Sequence, residues 1–143
     1  MTDLGLASDL KKYPHIFPPP GFVPIDRNGA RTETLAAGLS DTLETISEVG
    51  SGMEGWLRLM ALVSADFAVT FFTILENDQP MKNYTHLEAT IGDTSTPREC
   101  FIKLKPNYTY KLLVTGQGGG AVNVTVRWTL FGWYYPLGPE VRK

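Results

Sequence analysis

The stretch "AVNVTVRWTLF", residues 121–131, decides the fold class. Val122, Val124, Val126, Trp128 and Leu130 fall in one phase of a two-residue repeat, and Asn123, Thr125, Arg127 and Thr129 fall in the other. Successive side chains of a strand point to opposite faces, so this run predicts a strand with one apolar and one polar face. Its valines, threonines and tryptophan suit a pleated, half-buried surface.

Working outward, Glu99 to Leu104 and Tyr108 to Thr115 read as two more strands, joined by the turn Lys105-Pro106-Asn107, and Gly116 to Gly120 leads into the decisive strand. Tyr84 to Ile91 alternates in the same way, after a turn at Glu76 to Pro80. Trp56 to Val63 and Phe67 to Leu75 are apolar, β-rich runs of the kind buried on much of both faces. Together these strands predict a core of Trp56, Leu57, Leu59, Leu62, Phe67, Val69, Phe71, Ile74, Val124, Val126 and Trp128. Between residues 30 and 52 two patterns compete. Leu35, Leu39, Leu43 and Ile46 recur with helical spacing, while the threonines of "TETLAAGL" and "TLETISEV" favour strands, and strand is slightly preferred. About eight short antiparallel strands predict an all-β protein, a jelly-roll-like β-sandwich. The sandwich is expected over residues 30–136. After Phe131, "GWYYPLGPEVRK" is expected to leave the sheet at its prolines and release a tail over residues 137–143.

Residues 1–29 read as an N-terminal arm. Within it "KKYPHIFPPPGFVPIDRNG", residues 11–29, carries five prolines. Proline lacks an amide donor and biases its predecessor toward extended geometry, so Pro18, Pro19 and Pro20 predict a polyproline II rod, with Asn28-Gly29 as a turn into the sandwich. Exposed Tyr13, Ile16, Phe17 and Phe22 on a free arm would be an aggregation liability. The arm is therefore expected to dock these side chains on a neighbouring subunit, leaving a sandwich that folds without residues 1–29.

Composition narrows the function. The 143 residues are 43% hydrophobic and 20% charged, with a net charge of -2 that offers no field for nucleic acid. The apolar region from Trp56 to Leu75 is interrupted by Arg58 and Asp66, which disfavours a membrane span. "MTDLGLASDLKK" lacks a signal-like apolar stretch, so a soluble, non-secreted chain is expected. Three N-x-[ST] triplets, at Asn83, Asn107 and Asn123, read as turn and strand-start residues. Cys100 is the only cysteine and is expected to be a buried, inert thiol. "GQGGGA" lacks the GK[ST] of a phosphate loop and reads as a hairpin tip. His15 and His86 lack metal-ligand spacing, Glu76, Asn77 and Asp78 lack the calcium-loop pattern, and the serines lack a nucleophile elbow. No cofactor, metal or catalytic set is expected. The aromatics Trp128, Trp133, Tyr134 and Tyr135 read first as packing, with a sugar-stacking platform as the alternative.

An N-terminal arm leading into a small, enzymatically blank β-sandwich with a single cysteine resembles the structural proteins of viral shells, in particular the capsid decoration (cement) proteins of tailed bacteriophages. The resemblance is architectural. It implies a virion component that self-associates, as a trimer, and clasps a lattice of major capsid protein. Other virion parts, such as a receptor-binding head or tail fibre component, share the architecture.

Overall fold

The computed structural model describes residues 13–36, 38–64, 70–84, 96–116 and 122–137. Among the described residues eight strands run in order: β1 (Val23–Leu35), β2 (Ser40–Ile46), β3 (Met53–Ser64), β4 (Thr70–Glu76), β5 (Gln79–Pro80), β6 (Arg98–Leu104), β7 (Tyr110–Gly116) and β8 (Val122–Pro136). They form two four-stranded sheets, ordered β1-β8-β3-β6 and β2-β7-β4-β5, with every pair antiparallel. Strands consecutive in this order lie in opposite sheets except β4 and β5, joined by a hairpin whose Asn77 and Asp78 both take positive φ, as a type I′ turn requires. This interleaving is the double Greek key of a jelly roll.

The period-two pattern sets what faces inward. Cys100, Ile102 and Leu104 of β6 are buried while Glu99, Phe101 and Lys103 are exposed; on β8, Val126, Trp128 and Leu130 are buried in the same cluster. Leu57, Met60, Leu62, Phe72, Ile74, Leu112 and Val114 complete the space between the sheets. A cavity of about 10 Å3 beside Ile46, Leu57, Ile74 and Leu130 has room for about one water. The edge between β1 and β2 is closed by charge: Arg27 bridges Glu48, Arg31 pairs with Asp41 at 3.5 Å, and the Trp128 indole donates to Glu44 at 3.3 Å.

Several sequence expectations need correction. Asn28-Gly29 is no turn: both residues lie within β1, where Gly29 opposes Trp128. A Cβ at Gly29 would sit 2.2 Å from Trp128 Cζ2, so the glycine makes room for an indole. β1 starts at Val23, which moves the sandwich boundary from residue 30 to 23. Ile25 is already core, so removing residues 1–29 would strip half a strand. β8 runs past the 121–131 stretch to Pro136, so pairing stops at the first of the prolines expected to end it, with Trp133 opposite Trp56. Gly132 permits this continuation. β3 bulges at Arg58, and a Cβ on Gly132 would meet the Trp56 carbonyl oxygen at 1.9 Å.

The leucines with helical spacing belong to two strands and their connection. Leu35 and Leu43 are buried, whereas Leu39 is 61% exposed beside Gly38 at φ +81°. Within β4 the inward residues are Phe72 and Ile74, and Phe71 is half-buried on the other face; Trp56 and Leu59 are likewise half-buried. The remainder of the strand expected over Tyr84 to Ile91, core candidates Phe67 and Val69, most of "GQGGGA" and the tail beyond Leu137 lie outside the described residues. The Val124 side chain does too.

Candidate functional site

The prolines build a strap with two turns. The amides of Ile16 and Phe17 both donate to the Tyr13 carbonyl, at 3.0 and 2.9 Å. Phe22 N–H donates to Pro19 O at 3.1 Å, across Pro20 and a Gly21 at φ +83°. Proline second and left-handed glycine third are what a type II turn requires. The triple proline is therefore folded back at its end, not drawn out as a rod.

One side of this strap lies on the outer face of the β1-β8-β3-β6 sheet of its own chain. Trp133 Nε1 donates to Pro14 O at 2.8 Å, the His15 ring sits 5.4 Å from Trp56 and 6.2 Å from Phe101, and Pro19 is buried. Beneath it the Arg58 guanidinium stacks 4.2 Å over Phe101, and its Nε donates to the Cys100 carbonyl at 3.2 Å. The Cys100 thiol donates to Leu57 O at 3.4 Å, and burial, only partly opposed by Arg58, pushes its pKa up to about 12. It is a buried protonated thiol.

The other side of the strap faces solvent. Tyr13, Ile16, Phe17 and Phe22 are 41–46% exposed, and Phe101, beside His15, is 51% exposed. Pro18 is half-buried and Pro20 exposed. All four apolar arm residues named from the sequence are thus exposed to solvent. Phe101 was missed, yet it carried a signal: it is an aromatic in the polar phase of β6, between Glu99 and Lys103.

The four aromatics of the sugar-platform reading are divided between two faces. Trp128 is buried between the sheets; Trp133 and Tyr135 are buried on the outer face; Tyr134 packs partly against the core. Their polar groups are engaged within the chain, Trp128 with Glu44, Trp133 with Pro14, and Tyr135 with Glu54 at 2.5 Å. Burial, then the Glu54 carboxylate, raise the Tyr135 phenol well above its usual value. No flat ring face of the buried three is open for a sugar.

A groove of about 430 Å3 lies between the β4–β5 hairpin and β6, lined by Pro80, Lys82, Tyr84, Phe101, Lys103 and Lys105. Its charges are partly matched, Lys105 with Glu76 at 3.4 Å and Lys103 with Glu54 at 3.5 Å. The acidic turn is similarly tied: Asp78 pairs with Lys111 at 3.2 Å, and Asn77 Oδ1 accepts from Thr109 N at 2.9 Å. Among the described residues no cluster of three or more His, Cys, Asp or Glu side chains stands ready for a metal, and no helix is long and apolar enough to cross a membrane. No family model matches the chain, and no curated protein matches it.

Proposed function

We propose that the protein is a non-enzymatic assembly component that self-associates and clasps a larger lattice, in the manner of a decoration protein on a virion surface. The observation that carries this reading is the strap. It is fixed to its own sandwich by Pro14, His15 and Pro19 while it holds Tyr13, Ile16, Phe17 and Phe22 toward solvent.

Magnitudes support an interface. An aromatic side chain can bury roughly 150–250 Å2, so four aromatics a little under half exposed present roughly 300–450 Å2. With Ile16 the exposed apolar area reaches about 350–500 Å2, comparable to the largest patch on a monomer and roughly half of the ~800 Å2 one partner contributes to a standard interface. A preorganised strap also keeps the ordering entropy of docking low. The jelly roll serves viral capsid, lectin and cupin domains alike, so architecture alone does not choose among them. The burial of Trp128, Trp133 and Tyr135 weighs against a sugar platform, and the apolar strap weighs for assembly.

Sedimentation equilibrium across the micromolar range, followed by binding to candidate capsid shells, tests the proposal. Concentration-dependent association and shell binding are expected. A strict monomer that leaves shells bare would overturn it.

A further inference from the structure

β6 is the outer strand of its sheet. β3 pairs with one edge, and among the described residues no strand pairs with the other. That edge borders the groove described above, and at its centre the Phe101 amide is engaged by the Tyr84 hydroxyl. An edge strand templates pairing with another chain unless charges, bulges or a covering segment oppose it, and β6 keeps its in–out alternation through the register shift opposite Arg58.

On β6 the side chains favour pairing. The outward row is Glu99, Phe101, Lys103, centred on a strand that spans Arg98–Leu104. When such a strand pairs antiparallel with its own copy about Phe101, positions equally distant from Phe101 meet. Phe101 then meets Phe101, and Glu99 of each chain meets Lys103 of the other. An edge guarded against self-pairing carries like charges at the two mirror positions; here the signs are opposite. Glu99 has no ion-pair partner among the described residues, and Lys103 keeps half its side chain exposed beside Glu54.

We propose that β6 is a self-recognition edge that pairs with the β6 of a second copy about a two-fold axis at Phe101, joining the two β1-β8-β3-β6 sheets into one. The proposal rests on the self-association inferred above and names the edge that carries it. It replaces the trimer implied by the resemblance with an isologous pair, in which each contact occurs twice. Phe101 also borders His15 and the strap, so the two apolar patches become continuous across the axis. The Tyr84 hydroxyl is displaced by the incoming backbone.

The test uses charge reversal in the full chain, followed by sedimentation equilibrium at low salt. Glu99→Lys alone and Lys103→Glu alone each set like charges opposite one another twice and weaken association roughly ten-fold. An equimolar mixture of the two variants recovers association, because each chain then supplies the charge its partner needs, and the double variant recovers it within one chain type. Local loss of the Lys103–Glu54 contact cannot produce recovery on mixing. Association that ignores both reversals, a mixture that fails to recover, or a trimeric mass would each overturn the β6 pairing and leave self-association standing. A wild-type monomer would overturn both.

Discussion

Trp128 and Trp133 stand five residues apart on β8 and on opposite faces of one sheet. Both are nearly inaccessible, at 4% and 6% exposure, and both donate their indole N–H within the chain. Their covers differ. Trp128 is enclosed by strands of both sheets, with Gly29 of β1 beneath it and Glu44 of β2 at its nitrogen, so uncovering it means separating the sheets. Trp133 is covered by the proline strap, which is held by one carbonyl, one histidine ring and a buried proline. Equal burial thus hides unequal local stability: the inner face is bound to global unfolding, whereas the outer cover opens at the lower cost of releasing a single segment. A stable inner face and a lightly held outer one suit a protein whose core preserves shape and whose strap makes contacts.

The largest expected effect tests the inner face. Phe72 is 2% exposed between the sheets, so Phe72→Ala should lower unfolding free energy by about 3–5 kcal/mol, the range for a large core truncation. Its neighbour Phe71 is half-buried on the opposite face, and Phe71→Ala should cost less than about half as much. Urea unfolding of the two variants reads the difference. Equal losses would show that the outer face of the β2-β7-β4-β5 sheet is packed as heavily as its interior.

An intermediate effect follows from the buried acids. Cys100 is raised from its ordinary 9.0 to about 12, and Tyr110 and Tyr135 are raised above their ordinary 10.0, in each case chiefly by burial. A group whose folded pKa lies above its unfolded one holds its proton more tightly when folded, so its stabilisation is complete below the unfolded value and falls as pH rises toward the folded one. Stability should therefore be flat below about pH 9, decline through Cys100 at about 1.4 kcal/mol per pH unit, and decline more steeply above 10 as the two tyrosines join. Cys100→Ala should delay the onset to about pH 10. Urea midpoints measured from pH 8 to 11 check this, and a midpoint independent of pH would show the three groups to be solvated.

The strands with clean alternation were legible because a single force, burial of one phase, acts on them: β6, β7 and most of β8 lie where the pattern places them. Legibility failed where a second contact overrode the local signal. Asn28-Gly29 has the chemistry of a turn, but its glycine is needed as space for an indole roughly a hundred residues away in sequence, a contact invisible to a local reading. Gly132 looked like a strand end and is instead the position at which a bulged neighbour closes in. Phe71 and Phe72 are adjacent aromatics, and periodicity cannot choose between them without knowing which face the sheet buries. At the candidate site, Tyr13, Ile16, Phe17 and Phe22 were legible as residues in need of cover. That the strap folds back through Pro20-Gly21 onto its own sheet was not, because Pro18, Pro19 and Pro20 argue for extension until the turn ends it.

The smallest expected effect on stability is the most informative about the outer face. Ile16→Ser combined with Phe17→Ser removes two of the exposed apolar side chains and leaves the turn intact, since both positions contribute only amides to the Tyr13 carbonyl. His15 still sits against Trp56 and the Pro14 carbonyl still accepts from Trp133, so tryptophan emission should not shift and urea stability should change by about 0.5 kcal/mol or less, as for other surface substitutions. Association should respond differently, because the same two side chains are among the exposed apolar groups that a second copy or a lattice would cover. Their replacement should weaken self-association and shell binding by at least ten-fold, about 1.4 kcal/mol. A stability loss above about 1.5 kcal/mol would mean that the strap packs inward through these residues and that its exposed side is part of the fold. Unchanged association at unchanged stability would place the interface elsewhere, and the strap would then be a cover for Trp133 and nothing more.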